Sequence, residues 1–292
     1  MVQDKSFRGV AGKVLIYAVL SIAALCCILP FIYIFLGSFV SQEELIRNGG
    51  FVLIPKEISF ESYEYVFHSD SIFRGIGIAI FITLVGTTLN IVLTSITAYA
   101  LSKPTLPGRK FLMLFVTFPM IFSGGMIPTF LMVRMLGLTD TYWSLILPGA
   151  ILSFNLIVMR NFFQAIPVDY EEAATIDGCS EFATFVKIIL PLSKPSIATF
   201  TLFYGVTHWN SYLPAILYIN NTEKWPLQVW LRQIVVLSLG NNSFTNMGEG
   251  TTPPMQSIKF AVIIIAVIPI LIAYPFVQRY FTQGMMVGGI KG

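Results

Sequence analysis

Long uncharged apolar stretches, separated by shorter polar segments, dominate the pattern of residues along this 292-residue chain. Each stretch is about as long as the ~20 residues that cross a ~30 Å hydrocarbon core as a helix. Backbone groups cannot stay unpaired in lipid, and the alternating pattern of barrel strands is absent from the sequence, so these stretches predict helices. We predict an all-α integral membrane fold with six transmembrane helices, at about residues 14–38, 76–101, 111–133, 142–163, 195–218 and 259–279.

Composition supports this interpretation. Hydrophobic residues make up 55% of the chain and charged residues only 11%, against roughly 25% charged in an ordinary soluble domain. We expect a single transmembrane domain over residues 1–292. The first apolar run is too long for a signal peptide and lacks a small-residue cleavage site, so we expect it to stay attached as the first helix. Cys26 and Cys27 are adjacent inside this helix and Cys179 lies in a distant polar segment, so no disulfide framework is expected.

The basic residues predict how the chain is oriented. Eleven of the 18 lysines and arginines lie on one side of the six-helix arrangement, and the other side holds most of the acids. Lysine and arginine near helix ends favour the cytoplasmic side. We therefore predict that both termini are cytoplasmic.

Two features interrupt the simple pattern of spans. The run FSGGMIP, residues 122–128, places glycines and a proline inside the third predicted helix, and such breaks are tolerated only where the backbone faces protein or a water-filled cavity. The outer loop at residues 220–257 is too long for a turn, and its Trp225, Trp230 and Leu231 indicate a surface that packs on something. The outer loop at residues 41–74 is predicted to form a folded lid on the helix ends.

The sequence contains none of the short motifs that would indicate an enzyme. There is no Walker-type phosphate loop, no paired-histidine zinc motif and no nucleophile elbow. The two histidines, His68 and His208, are far apart in the sequence. We expect no catalytic residue, no metal site and no cofactor in this chain.

The segment DYEEAATIDGCSEFATFVKIILP, residues 169–191, is unusually acidic for this chain. Asp169 and Glu172 have the spacing of a capping box, so a short helix is predicted to start there and to end at Gly178. Ser180 can cap a second short helix, which Pro191 is predicted to stop. One apolar stripe is predicted on this second helix, at Phe182, Phe185, Val186 and Ile189. These patterns alone leave open whether the pair of helices lies on the membrane or docks a partner.

Polar residues inside spans are costly and usually face the bundle interior or a cavity. The candidates for a substrate path are His208, Trp209, Asn210 and Tyr212, in the run HWNSY, together with Asn155. They combine hydrogen-bonding groups with aromatic faces, as sugar binding requires. The alternative is that they form hydrogen bonds between helices, and a packed role is expected for His208.

Several motifs carry a resemblance to a known family. The spacing of Glu172-Ala173-Ala174, Gly178, Ile188 and Leu190-Pro191 resembles the E-A-A…G…I-x-L-P signature of ATP-binding cassette importer permeases. Residues 126–148, 160–178, 208–219 and 277–292 look like the carbohydrate-uptake, maltose-type branch, in its six-helix subunit. The run FSGGMIPTF is most like the sub-branch for complex oligosaccharides, including uronates such as alginate or pectin fragments.

This resemblance implies a multi-pass permease of the bacterial cytoplasmic (inner) membrane that imports an oligosaccharide by alternating access. Its implied partners are a second permease chain, two ATPase subunits that bind ATP and Mg²⁺, and an extracellular solute-binding protein that docks near Trp225, Gln228 and Trp230. The resemblance also implies a cytoplasmic coupling loop between helices 4 and 5, at Glu171, Glu172, Ala173, Ala174, Asp177, Gly178, Ile188, Leu190 and Pro191. The alternatives are an importer of a non-sugar solute, and a secondary transporter or channel.

Overall fold

The computed structural model describes residues 7–240 and 255–288, and within these ranges the chain is helical or in turns between helices, with no strand. The first half contains α1 (Phe7–Gly37), α2 (Gln42–Arg47), α3 (Glu61–His68), α4 (Asp70–Ser102), α5 (Arg109–Ile121), α6 (Met126–Met135), α7 (Trp143–Ile146), a 3₁₀ turn (Leu147–Gly149) and α8 (Ser153–Gln164). The second half contains α9 (Asp169–Ile176), α10 (Glu181–Thr184), a π-helical turn (Phe185–Ile189), α11 (Leu190–Leu192), α12 (Lys194–Trp209), α13 (Leu213–Tyr218), a 3₁₀ turn (Thr222–Lys224), α14 (Leu227–Gly240) and α15 (Met255–Gly288). The predicted all-α class is confirmed.

Three helical segments in the described ranges are long and apolar enough to cross a membrane alone, namely Gly12–Gly37, Asp70–Ser102 and Met255–Pro275. Two bent pairs bring the number to as many as five: α7 with α8, bent by 52°, and the α10–α11 segment with α12, bent by 81°. The third predicted span is divided between α5 and α6. Gly125 stands at this break with φ +85°, which confirms the interruption predicted at residues 122–128. Six spans stay a prediction.

The chain divides into two compact units, and the first comprises residues 1–69 and 233–266. Its described part shows how the first outer loop is folded. The hydroxyls of Ser38 and Tyr63 are 2.7 Å apart, and Ser257 Oγ donates to the Val40 carbonyl at 2.9 Å. Helices α2 and α3 lie within this loop, so the expectation of a folded segment at residues 41–74 agrees with the structure.

The second unit comprises residues 70–232 and 267–292. Its long helix α4 packs against both α8 and α12. Two clusters of buried side chains follow α4 along its length. One cluster consists of Ala98, Tyr99, Leu101, Leu156, Met159, Phe163, Phe185, Ile189, Phe200 and Tyr204. The other consists of Ile78, Ile82, Val133, Leu145, Ile146, Ala215, Tyr218, Ile219 and Val229.

Candidate functional site

Helix α9 opens the acidic segment, but its start differs from the prediction. Val168 has helical backbone angles and occupies the N-cap, and no side chain caps this end. Asp169 is therefore the first helical residue, and the predicted capping box of Asp169 with Glu172 is wrong. The chain enters the helix at Val168, and from a helical position Asp169 cannot take the extended backbone of an N-cap. The acids of the first turn still lie at the positive end of the helix dipole.

The predicted end of α9 at Gly178 is confirmed. Gly178 has φ +75°, its N–H donates to the Thr175 carbonyl at 3.0 Å, and the Cys179 N–H donates to the Ala174 carbonyl at 2.9 Å. This pair of bonds is a Schellman motif, in which the residue after the cap takes the left-handed conformation that glycine adopts at low cost. The elbow is therefore closed by its own backbone.

A charged pair fastens α9 to the end of α4. Glu171 forms an ion pair with Lys103, and the Lys103 Nζ lies 4.4 Å from the centroid of the Tyr99 ring. The two charged side chains are only 21% and 28% exposed. Burial alone would lower the pKa of Lys103, but hydrogen bonds with Glu171 and Tyr99 outweigh it, and the pKa is raised. Lys103 therefore stays a cation at this contact.

The second helical part of the segment packs into the core. Ser180 accepts a hydrogen bond from the Ala183 N–H at 3.3 Å, which confirms the predicted cap. The Phe185 ring stacks on Tyr99 at 4.8 Å between centroids, and it meets Phe163 edge to face at 6.4 Å. Ile189 is buried in the same cluster. Tyr99 thus contacts both anchors of the acidic segment, the lysine on one side and the phenylalanine on the other.

The predicted apolar stripe is half right. Phe185 and Ile189 are buried, whereas Phe182 and Val186 are 71% and 42% exposed. The reason is the π-helical turn, in which the Leu190 N–H bonds back to the Phe185 carbonyl, five residues earlier. A turn widened in this way shifts side chains away from the faces that α-helical spacing predicts.

Pro191 does not stop the helix as predicted. It lies in the first turn of α11, which continues to Leu192, and the chain then bends at Ser193 into α12. Proline is tolerated in the first turn of a helical segment because its missing N–H has no partner to lose there. The helix ends one residue later than expected, at a kink of 81°.

The coupling residues predicted from the sequence therefore fall on two faces. Ala174 is buried and Glu171 is half-buried in its ion pair, whereas Glu172, Ala173, Asp177 and Gly178 are exposed. Ile188 and Leu190 are half-buried and Pro191 is exposed. Two large apolar side chains beside them are strongly exposed, Ile176 at 86% and Phe182 at 71%. Because the sequence predicts coupling here, we call this exposed surface the coupling face, and its described members are Glu172, Ala173, Ile176, Asp177, Gly178 and Phe182.

The predicted substrate-path residue His208 is buried and bonded between helices. Its Nε2 lies 2.6 Å from Asn90 Oδ1. The Asn90 Nδ2 donates to the carbonyls of Gly149 and Ala150, at 2.6 and 2.9 Å. Because the amide oxygen of Asn90 can only accept, His208 donates from Nε2. The expectation of a packed, hydrogen-bonded histidine agrees with this arrangement.

The carbonyls that Asn90 bonds lie in the break between α7 and α8, where helical partners are missing. Tyr204 supports the same break, because its hydroxyl accepts from the Leu152 N–H at 3.2 Å and lies 2.8 Å from the Thr94 hydroxyl. We call this arrangement the break clamp, and its members are Asn90, Thr94, Tyr204 and His208. It joins α4, α8 and α12 through buried polar groups.

A glycine makes room for the break clamp. A Cβ atom at Gly86 would lie 2.6 Å from His208 Nε2, which no side chain could accept without displacement. The sequence patterns considered above did not single out Gly86, Thr94 or Tyr204 as members of a site. Their spacing was a usable signal, since the pairs 90/94 and 204/208 each lie one turn apart on a helix face.

A cavity of about 450 Å³ brings three of the predicted path residues together. His208, Asn210 and Tyr212 line it with Tyr204 and the backbone region of the helix break. Trp209 instead lines a separate cavity of about 320 Å³, beside Pro269 and Ile270. Asn155 is buried elsewhere on α8, and its Nδ2 has no hydrogen-bond partner among the described residues. The predicted cluster is therefore divided between two cavities and the core.

Two side chains of helix α14 contact residues that line the larger of these two cavities. Gln228 Nε2 donates to Asn210 Oδ1 at 3.4 Å. The guanidinium carbon of Arg232 lies 5.6 Å from the centroid of the Tyr212 ring. These contacts join helix α14 to two residues of the predicted substrate path.

The other predicted docking residues pack against each other. The Trp225 and Trp230 rings are 5.4 Å apart, edge to face, and Trp225 Nε1 donates to the Ile219 carbonyl at 3.2 Å. A Cβ atom at Gly75 would lie 2.9 Å from Trp230 Cδ1, so glycine allows the indole to approach α4. Both tryptophans are half-buried.

An ion pair fixes the turn beside these tryptophans. Lys224 Nζ lies 2.9 Å from Asp140 Oδ2, and the Asn221 N–H donates to Asp140 Oδ1 at 3.0 Å. The hydrogen bond from the Asn221 backbone, with the one from Lys224, lowers the pKa of Asp140. Within the described residues, no three His, Cys, Asp or Glu side chains form a group that could hold a metal ion.

Comparison with known proteins adds three findings. Residues 75–287 match the family described as binding-protein-dependent transport system inner membrane component. The chain is 51% identical over 279 residues to the polygalacturonan/rhamnogalacturonan transport system permease protein YtcP of Bacillus subtilis (strain 168), covering 95% of this chain and 97% of that protein. It is also 51% identical over 265 residues to Protein LplC of the same organism, covering 91% and 90% of the two chains.

A solved structure agrees with these relatives. A chain in the crystal structure of a bacterial ABC transporter involved in the import of the acidic polysaccharide alginate superposes with a TM-score of 0.87 at 36% identity. The match covers 94% of this chain and 98% of that chain. The arrangement of helices described above is therefore one that a working importer also uses.

Proposed function

We propose that this chain is the permease subunit of an ATP-driven importer of acidic oligosaccharides. The chain belongs to the family of binding-protein-dependent transport system inner membrane components. The resemblance predicted from the sequence is thereby confirmed, and membership of this family sets aside a channel or secondary transporter. The chain is a multi-pass protein of the inner membrane, as predicted.

The class of substrate follows from the relatives. YtcP is described as a permease for polygalacturonan or rhamnogalacturonan, and the solved transporter imports the acidic polysaccharide alginate. These two proteins are 51% and 36% identical to this chain over nearly its whole length. They favour a uronate-containing oligosaccharide over the non-sugar solute that the acidic segment alone left open.

The coupling face is the structural observation that supports coupling to an ATPase. It presents an exposed carboxylate, Glu172, beside the exposed apolar side chains Ile176 and Phe182. Its other side is tied to α4 through Lys103 and Tyr99. A partner ATPase that binds this face and closes on ATP would move α4 and the helices packed on it. ATP and Mg²⁺ would bind that partner, since this chain contains no phosphate loop.

The substrate would pass through the cavity of about 450 Å³ beside the break clamp. Asn210 and Tyr212 offer an amide and an aromatic hydroxyl there, which suit the polar edges and C–H faces of sugar rings. The segment from residue 220 to 240 would meet the extracellular binding protein, with the Trp225–Trp230 pair as its packed support. Trp209 and Asn155 would act through packing and not through contact with the sugar.

The test uses the complete transporter. An affinity-tagged copy of this chain is purified in mild detergent from its own host membrane, and the companions are identified by mass spectrometry. The complex is then placed in proteoliposomes with its binding protein, and uptake of trigalacturonate and of a neutral arabinotriose is measured. We expect an ATPase, a second permease chain and ATP-dependent uptake of the uronate. Uptake of the neutral sugar alone would overturn the substrate class, and a chain purified without an ATPase would overturn the coupling.

A further inference from the structure

Helix α14 presents two polar side chains, one turn apart, to the predicted substrate path. Gln228 and Arg232 are separated by four residues, so they lie on the same face of the helix. Gln228 bonds the Asn210 side chain, and Arg232 lies over the Tyr212 ring. Both residues that they contact line the cavity of about 450 Å³. Arg232 is therefore next to a residue that lines this cavity.

Arg232 is one of several described cations, Arg134 and Lys56 among them, that form no ion pair with a described carboxylate. Arg47, Arg74, Lys103 and Lys224 each form an ion pair with a carboxylate. Arg232 takes part in none of the ion pairs formed between described residues, and it is exposed. The described lining of the cavity likewise contains no aspartate or glutamate. Among the described residues, no carboxylate is paired with Arg232 and none lines the cavity beside it.

The contact with Tyr212 orients the Arg232 guanidinium and does not neutralise its charge. A guanidinium within about 6 Å of a ring centroid is attracted to the face of the ring, and its N–H groups remain available at the edge. Those groups form a planar fork that matches the two oxygens of a carboxylate. Gln228 and Asn210, next to it, supply amide groups suited to sugar hydroxyls.

We propose that Arg232, oriented by Tyr212, binds a uronate carboxylate of the substrate at the edge of the cavity and selects acidic over neutral oligosaccharides. This inference rests on the proposed function, because it needs an importer of sugars. The inference goes beyond that function by assigning the recognition of the substrate's charge to one residue of this permease chain, in addition to any selection by the binding protein.

Trigalacturonate and its fully methyl-esterified form test this assignment, since they have the same sugar backbone and differ in charge. The complete transporter is reconstituted in lipid nanodiscs without binding protein, and the affinity for each trimer is measured by calorimetry. We expect the wild type to bind the acid about tenfold more tightly than the ester, as charge-assisted hydrogen bonds predict. Arg232→Gln should bring this ratio close to one, and Arg232→Lys should restore part of it.

The control is Arg74→Gln, which removes an exposed arginine that is already paired with Glu223 at 3.3 Å and should keep the wild-type ratio. An unchanged ratio in Arg232→Gln, an equal loss of affinity for both trimers, or no preference in the wild type would each overturn the proposal. Uptake of trigalacturonate by the wild type tests the proposed function separately. If the wild type takes up trigalacturonate but Arg232→Gln leaves the affinity ratio unchanged, the proposed function stands and the role of Arg232 does not.

Discussion

The elbow at Gly178 and the break between α7 and α8 are both interruptions of helix, and they are held in opposite ways. At the elbow, two backbone hydrogen bonds from Gly178 and Cys179 close the turn locally, and its surroundings are open. At the break, the carbonyls of Gly149 and Ala150 accept hydrogen bonds from Asn90, a fully buried side chain of another helix.

This difference has a mechanical consequence. The elbow forms its hydrogen bonds within its own backbone, so we expect it to keep its shape when a partner binds its outer surface and to transmit a movement of that partner. A break that depends on side chains of α4 and α12 ties three helices together, so these helices cannot separate there without leaving polar groups unpaired. The first interruption therefore suits a rigid contact surface, and the second holds α4, α8 and α12 together.

The largest expected effect comes from Gly178→Pro. Proline cannot adopt φ +75° and has no N–H to donate to the Thr175 carbonyl, so the substitution destroys both features of the elbow. We expect uptake and ligand-stimulated ATPase activity of the reconstituted complex to fall below detection. The chain should still insert into the membrane, because the elbow is at the surface and outside the packed cores.

Gly178→Ala is the matched control. A Cβ atom at Gly178 would have no neighbour within 4 Å, so alanine adds only the cost of a left-handed backbone, about 1 kcal/mol. We expect it to retain most of the activity. Normal uptake in the proline variant would show that the shape of the elbow is not needed for coupling.

A smaller effect is expected at the other interruption, from Asn90→Leu. This change keeps the side-chain volume but leaves the Gly149 and Ala150 carbonyls and the His208 Nε2–H without their partner. Each buried polar group left unpaired costs about 1–3 kcal/mol, so the melting temperature of the purified complex should fall by several degrees.

Thr88→Ala is the control for this variant. Thr88 is exposed on the same helix, and its hydroxyl bonds only the Leu84 carbonyl one turn earlier. It should melt within about 1 °C of the wild type, since surface substitutions of this kind change stability little. A melting temperature for Asn90→Leu equal to that of Thr88→Ala would contradict the clamp.

The two interruptions also explain what sequence could and could not predict. Gly178 and Ser180 determine the elbow and the next cap locally, and both were predicted correctly. The bond between Asn90 and His208 joins residues 118 positions apart, so no local pattern points to it. The run of apolar residues predicted the helical class, but the bends that divide spans depend on packing. The capping box failed because the backbone before it was already helical.

The smallest expected effect concerns the contact behind the coupling face, in Lys103→Gln. The change removes the positive charge that pairs with Glu171 while keeping most of the side-chain length. A partly buried ion pair of this kind contributes about 1 kcal/mol, so we expect ligand-stimulated ATPase activity to fall by about two- to threefold. The pKa of Lys103 is raised above its ordinary value. The contribution of the pair is therefore fully present below that ordinary value and lost only as the pH rises through the folded pKa.

Because Lys103 stays charged at neutral pH, the ratio of Lys103→Gln activity to wild-type activity should stay constant from about pH 6 to pH 9. The exchanged pair Lys103→Glu with Glu171→Lys restores opposite charges at the same two positions, and it should recover part of the lost activity, whereas Lys103→Glu alone should be worse than Lys103→Gln. Full activity in Lys103→Glu would mean that the coupling face is held to α4 by the stacking of Phe185 on Tyr99 alone, without a contribution from charge.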